Sequence, residues 1–322
     1  MIADRLERGA FYREFIKEVA AGRVHNAYLI VSEDELAGRI MLELVAKALL
    51  SDNFRDAESL KLFAEGTHPD LHVYNRDKKI TVSDAENIIT EAHKSGWASE
   101  RRLFVIDNAE KAGVDVQNKL LKIMEEPPAG AVLIFRAKHE GALLETVRSR
   151  VKLMRLPAAT DADVEAELKE SGVPASVAGV AARLAGGNYA LATAYAEEEG
   201  LEEDYSAVFS MLAECRKTKD MAPYVYGGLF TTERLPRILD FAELILRDVM
   251  AEISGADVRR YTYNGDAEIE KIGAGFTPGG LAMAILAVNN ARRMAEVNIS
   301  ADTIGEKLLF DILEAKYKWR KS

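Results

Sequence analysis

The sequence predicts an α/β domain built on a parallel sheet, followed by a remainder that is all helical. Short apolar, β-rich runs recur through the first half at Ala27 to Val31, Leu71 to Tyr74, Leu103 to Ile106, Val132 to Phe135 and Val151 to Leu156, with helical patterns between them. Near-continuous apolar strands alternating with helices are what a parallel sheet covered on both faces requires. After Pro157 the strand signal fades, and apolar residues recur instead at spacings of three and four.

In chain order, the first strand ends at Val31 and leads through a short loop into the amphipathic run Ile40 to Leu49. A later connecting helix is expected to start at a capping box, Ser83-Asp84-Ala85-Glu86, in which Ser83 and Glu86 satisfy each other's free backbone amides. Another helix runs through Val116, Leu120, Leu121 and Met124 and must stop near Glu126, because Pro127 and Pro128 cannot continue it. The first domain is expected to close at Pro157, spanning 1–157. A small helical domain, 158–204, opens at a capped start, Thr160-Asp-Ala-Asp163, and contains the turn Gly186-Gly187-Asn188. The third domain, 205–322, is helical throughout, with a stripe at Leu235, Ile238, Ala242, Ile245 and Val249 and another at Ile304, Leu308 and Ile312. It ends in a basic cluster, Lys316-Tyr-Lys-Trp-Arg-Lys321, read as a solvated helix end, with contact to DNA or another subunit as the sharper alternative.

Composition narrows the function. The chain has 322 residues and a formal net charge of −10, which argues against tight unaided binding to nucleic acid; a DNA site shared within a complex stays open. Cys215 is the single cysteine, so neither an internal disulfide nor a thiolate zinc cluster is available, and a cytoplasmic location is expected. No apolar run approaches a membrane span and the first residues have no apolar core after a basic start, so neither membrane insertion nor export is expected. His68 and His72 have ligand-like spacing, but Pro69 breaks the helix that such a pair would need, so no metal is expected there. Trp97, in the loop before the third strand, reads as a packing or partner-contact residue rather than a base-stacking one.

The loop after the first strand is where a nucleotide-binding domain grips phosphate. A working loop needs glycines for close backbone approach, a Lys for the β and γ phosphates and a Ser or Thr for magnesium. Here it reads Ser32-Glu33-Asp34-Glu35-Leu36-Ala37-Gly38-Arg39, and three carboxylates, Glu33, Asp34 and Glu35, are expected to face the phosphates and repel them. No nucleotide cofactor is therefore expected. Asp107 stands at the end of the next signature strand, where such folds keep a magnesium-linked acid, although taken alone it reads first as a strand-end turn residue. Its neighbour is Asn108, and an amide cannot serve as the general base that activates water.

Four segments carry a family resemblance. They are Leu103-Phe-Val-Ile-Asp-Asn-Ala-Glu110; Asn118-Lys-Leu-Leu-Lys-Ile-Met-Glu-Glu-Pro-Pro128; Val132-Leu-Ile-Phe135; and Leu143-Leu-Glu-Thr-Val-Arg-Ser-Arg150. At these separations the sequence resembles the clamp-loader subunits of bacterial DNA polymerase III, members of the AAA+ class. Weaker similarity continues at Gly22 to Ile30, Leu184 to Asn188 and Asn298 to Leu309. The resemblance implies an AAA+-like parallel-sheet domain, a small helical lid and a helical collar that oligomerises. Its partners are implied to be gamma/tau and delta clamp-loader subunits, with the sliding clamp and primer-template DNA engaged through the complex.

The altered phosphate loop resembles that of the family member which does not hydrolyse ATP; the rival is an ATP-hydrolysing gamma/tau-type subunit. Arg150 matches the central arginine of the family's Ser-Arg-Cys motif, here Ser149-Arg150-Val151, and is implied to reach a neighbour's γ-phosphate in trans. Taken without the family, Arg150 is a solvated charge or a local ion pair. Four departures stand out. Val151 replaces the motif cysteine; the zinc-binding cysteines are absent from Ser51 to Gly66; the nucleotide-sensing hydroxyl is replaced around Arg136-Ala-Lys138; and Tyr189 stands near the place of the lid arginine.

Overall fold

The computed structural model describes residues 2–75, 78–255, 266–297 and 299–318. Five strands form one parallel sheet: β1 (Ala27–Val31), β2 (Leu71–Tyr74), β3 (Arg102–Ile106), β4 (Ala131–Ala137) and β5 (Lys152–Arg155), in the spatial order β2-β3-β4-β1-β5. The helices of this half are α1 (Ile2–Arg8), α2 (Ala10–Ala20), α3 (Glu35–Leu50), α4 (Ala57–Ala64), α5 (Val82–Ala92), α6 (Val114–Glu125) and α7 (Glu145–Arg148). Each of the five apolar runs read from the sequence is a strand.

Strand alternation explains why these runs are apolar throughout. Leu29, Phe104, Leu133 and Phe135 pack on one face of the sheet with Ile88 of α5 and Leu120 and Ile123 of α6. Tyr28, Ile30, Leu103, Val105, Val132 and Ile134 pack on the other with Phe15 of α2 and Met41, Val45 and Leu49 of α3. Successive residues point to opposite faces, so covering both faces makes the central strands apolar almost throughout, with Arg102 and Arg136 as buried charged exceptions.

Helix α6 stops at Glu125, ahead of Pro127, as expected. The α5 cap differs. Its N-cap is Thr81, not Ser83: the Thr81 hydroxyl accepts from the Asp84 N–H, and Asp84 accepts from the Thr81 N–H. Short acids at the third position close the same box as Glu, and Ile80, buried just before the cap, fixes the entry of the chain.

The chain forms two compact units, 1–159 with 188–191, and 160–187 with 192–322. The second unit contains α8 (Asp161–Glu170), α9 (Ala175–Leu184), most of α10 (Tyr189–Glu197), α11 (Leu201–Glu214), α12 (Ala222–Val225), α13 (Leu235–Ser254), α14 (Asp266–Gly273), α15 (Pro278–Glu296) and α16 (Ala301–Lys318). The Thr160–Asp163 box caps α8 as read. The stripe on α13 and that on α16 are both fully buried, against α11, α14 and α15. Among the described residues no single helix is long and apolar enough to cross a membrane.

In the basic C-terminus Lys316 departs from the solvated reading, whereas Lys318 is exposed as read. Lys316 is buried: its ammonium donates to the Leu212 and Cys215 carbonyls, both at 2.9 Å, at the end of α11, and lies over the Phe276 ring. A cation at the last turn of α11 meets the unpaired carbonyls and negative end of that helix. Trp319, Arg320 and Lys321 lie outside the described residues, as does Asn298.

Burial pushes the Lys316 pKa down from 10.5 to about 8. Between those values the unfolded chain holds the proton and the folded chain does not, so stability from this group rises with pH across that window. Compared with Lys316→Met, the wild type is expected to gain on the order of 3 kcal/mol at most between pH 7.5 and 10. Urea unfolding of both proteins at each pH checks this; a constant difference contradicts it.

Candidate nucleotide-site remnant and interface arginine

The carboxyl ends of β1, β3 and β4 bring the loop Ser32 to Arg39, Asp107 and Arg136 together, the edge at which open parallel sheets place ligands. Asp34 is the centre of the loop. As the N-cap of α3 its Oδ1 accepts from the Leu36 and Ala37 N–H groups at 2.9 and 3.1 Å. The same carboxylate accepts from the N–H groups of Tyr189 at 2.5 Å and Ala190 at 3.4 Å, in the 188–191 segment of the first unit. Ser32 is buried, and its hydroxyl donates to the Asp34 carbonyl at 2.8 Å, which closes the loop on itself.

This corrects the expectation that three carboxylates face the phosphate position. Only Asp34 turns inward. Glu33 is exposed, and Glu35 is paired with Arg39 one turn along α3 at 2.8 Å. The pattern of charge was readable, but the direction of each side chain depends on which residue caps the helix.

Asp107 is wholly buried and its partner is Arg136, also wholly buried. Arg136 Nε donates to Asp107 Oδ1 and its Nη2 donates to Asn108 Oδ1 at 2.7 Å, while Arg39 approaches Asp107 Oδ2 at 3.7 Å. Asp107 therefore faces guanidinium groups where a magnesium-linked acid would need an open face. Gly38 completes the arrangement: a Cβ there would meet Ser32 at 3.2 Å and the Arg136 side chain at 3.3 Å. The arginine stem thus lies directly under the first turn of α3.

Asn108 sits in the left-handed region, φ 49°, which Asn tolerates better than most residues. Its carbonyl accepts from Asn75 Nδ2 at 2.7 Å. Its side chain is engaged with Arg136, so it is held as a structural amide.

The N–H groups at the start of α3 are thus engaged by the Asp34 carboxylate, and Asp107 is engaged by Arg136.

Arg150 is placed differently. It follows α7 on the surface, with a side chain 38% exposed, and its Nη2 lies 2.9 Å from Glu125 at the end of α6. Its Nη1 donates to the Thr146 carbonyl at 2.8 Å and to Ser149 Oγ at 3.2 Å; Ser149 Oγ also donates to Thr146 O. These contacts orient the guanidinium without burying it. An exposed pair of this kind holds about 0–1 kcal/mol, so a stronger anion displaces it readily.

The histidines are structural. Nδ1 of His68 accepts from the Asp70 N–H at 3.2 Å, and the His72 ring stacks on Phe104 with centroids 5.1 Å apart. Burial pushes both imidazoles below their ordinary pKa. Trp97 does not pack: it is 83% exposed. Its loop is held by Asp70, which accepts from the Trp97, Ala98 and Ser99 N–H groups at 2.8, 2.8 and 2.9 Å. Burial pushes the Asp70 carboxyl up, but those three bonds outweigh it and hold the pKa below the ordinary value.

Sequence reasoning missed Arg136 as the partner of Asp107. The signal was present, since a lone charge in the buried strand Ala131–Ala137 demands an opposite charge or a metal. Breaking the pair should be costly: Arg136→Met is expected to destabilise by about 3–5 kcal/mol by leaving Asp107 uncompensated. Replacing both residues with apolar ones should recover most of that loss, as read by urea denaturation. Equal losses in the single and double variants would contradict the coupling.

Comparison with known proteins finds a family match and relatives by sequence. Residues 8–160 match the family described as DNA polymerase III, delta subunit. The chain is 23% identical over 303 residues to DNA polymerase III subunit delta' of Bacillus subtilis, covering 91% of this chain and 92% of that one. It is 26% identical to the Escherichia coli protein of the same name over 151 residues, 44% of this chain and 45% of the other. Among solved structures, a gamma subunit-related protein of Thermotoga maritima aligns over 94% of this chain and 99% of its own at 15% identity, with a TM-score of 0.41. The Bacillus subtilis clamp loader delta protein aligns over the same shares at 13% identity and a TM-score of 0.38. By sequence, over the parallel-sheet unit and along 91% of its length, the chain is similar to the delta-prime subunits of the DNA polymerase III clamp loader.

Proposed function

We propose that this chain is a clamp-loader subunit that does not hydrolyse ATP itself and supplies Arg150 in trans to the active centre of a neighbouring ATPase subunit. The observation that carries the reading is the contrast between two arginines. Arg136 is locked inside on Asp107, so its own site lacks a free acid for magnesium. Arg150 is exposed and held only by surface contacts, so it is free to meet an anion from outside.

The chemistry expected of Arg150 is electrostatic. A guanidinium placed on the transferring phosphoryl group stabilises charge that grows in the transition state, an effect of about 10³- to 10⁵-fold in related phosphoryl-transfer enzymes. Its planar fork of donors suits phosphate oxygens better than a lysine would. Ser149 and Glu125 act as positioning residues, fixing the guanidinium until the neighbour's phosphate replaces the carboxylate.

On this reading residues 1–157 form the AAA+-like domain, 158–204 the lid and 205–322 the collar that joins the other subunits. The partners are gamma/tau and delta subunits, and through them the sliding clamp and primer-template DNA, in the cytoplasm.

Two measurements test the reading. Labelled ATP is expected to bind the isolated chain with no affinity in the micromolar range; micromolar binding would favour a gamma/tau-type ATPase. In a reconstituted complex, Arg150→Ala is expected to lower DNA-stimulated ATP hydrolysis by at least tenfold, with assembly unchanged by size-exclusion chromatography. Undiminished hydrolysis would mean that the arginine serves no neighbour.

A further inference from the structure

Two helices begin at one carboxylate. Asp34 Oδ1 accepts from Leu36, Ala37 and Ala190, and Oδ2 from Tyr189, so the free N–H groups of α3 and of α10 converge on the same side chain. Each helix N-terminus carries roughly half a positive charge, and the pair forms a natural seat for an anion. The contact is reinforced around it. Asn188 Nδ2 donates to the Glu33 carbonyl at 3.3 Å, Asn188 Oδ1 accepts from the Leu191 N–H at 2.9 Å, and Arg5 Nη1 donates to the Tyr189 hydroxyl at 2.6 Å. Residues 188–191 cluster with the first unit for this reason, although the chain on either side of them does not.

A second observation points to an anion at this place. Arg136 is wholly buried, yet its Nη1 has no hydrogen-bond partner, and it lies 3.6 Å from where a Cβ on Gly38 would be. A cationic donor is thus left over beside the loop that holds Asp34. A simple N-cap explains the bonds to Leu36 and Ala37; it explains neither the bonds to Tyr189 and Ala190 nor the leftover guanidinium nitrogen.

We propose that the Asp34 carboxylate is a built-in substitute for a phosphate group, docking residues 188–191 on the first unit in the absence of any nucleotide. The proposal rests on the reading of this loop as a former phosphate loop and adds what now fills it. Its corollary is that removing the carboxylate creates a vacant anion seat, which inorganic phosphate can occupy.

The test uses the full chain, as wild type and as Asp34→Ala. Amide hydrogen exchange at Tyr189 and Ala190 is followed with and without millimolar inorganic phosphate, at matched ionic strength with chloride. In Asp34→Ala these amides are expected to exchange at least tenfold faster than in the wild type. Phosphate is expected to restore their protection in the variant and to leave the wild type unchanged. If Asp34→Ala does not fold, Asp34→Asn keeps the side-chain length and one acceptor oxygen, and gives the same readout at smaller amplitude. Unchanged protection in the variant, or a phosphate effect equal in both proteins, would overturn the proposal. The outcome is separable from the parent reading, because ATP binding to the wild type and the Arg150→Ala complex are measured independently of phosphate rescue.

Discussion

The buried ion pair between Arg136 and Asp107 is the interaction around which the first unit is arranged. Both groups are wholly buried at the ends of adjacent strands, in a sheet whose central side chains are otherwise mostly apolar. Neither charge is tolerable alone there, since desolvating an isolated ion costs far more than any single contact returns. Together, with Asn108 taking the next guanidinium nitrogen, they make a neutral plug at the edge of the sheet where ligands ordinarily bind. That plug packs closely against Gly38, and the Ser32 hydroxyl closes the adjoining loop on the Asp34 carbonyl.

At the carboxyl edge of the sheet the polar groups satisfy one another. A carboxylate stands on the helix N-termini and an arginine stands on the acid. On the proposed reading, this leaves a subunit whose contribution to phosphoryl transfer is made at its surface through Arg150. The two arginines show how burial sorts function: one is fixed by a pair that costs several kcal/mol to break, the other by a pair worth about 1 kcal/mol or less.

The second unit is held by a different logic. The stripes on α13 and α16 are buried against neighbouring helices, and Gly305 of α16 lies so close to the Phe230 ring that a Cβ would come within 2.3 Å of it. Lys316 belongs to the same packing, tying the last described helix to the end of α11 through two carbonyls. A lysine that looks like part of a basic tail in the sequence is thus an internal cap, because its long apolar stem can cross a core while its ammonium reaches the carbonyls beyond.

The sequence by itself determined the five strands, the helices between them, the residue types of the loop Ser32 to Arg39 and the position of Arg150. These are local or periodic properties: alternation of burial along a strand, spacing along a helix, and residue type at a fixed offset from a strand end. Only the tertiary structure decided that Asp34 alone of three acids turns inward, that Arg136 neutralises Asp107 from the next strand, and that Lys316 is buried. Each of those depends on groups far apart in the chain, such as Asp34 with Tyr189 or Lys316 with Leu212. Charge can be counted in a sequence, but the partner that neutralises it is chosen by the fold, because a buried ion is stable only where another segment brings the opposite charge or a set of dipoles to meet it.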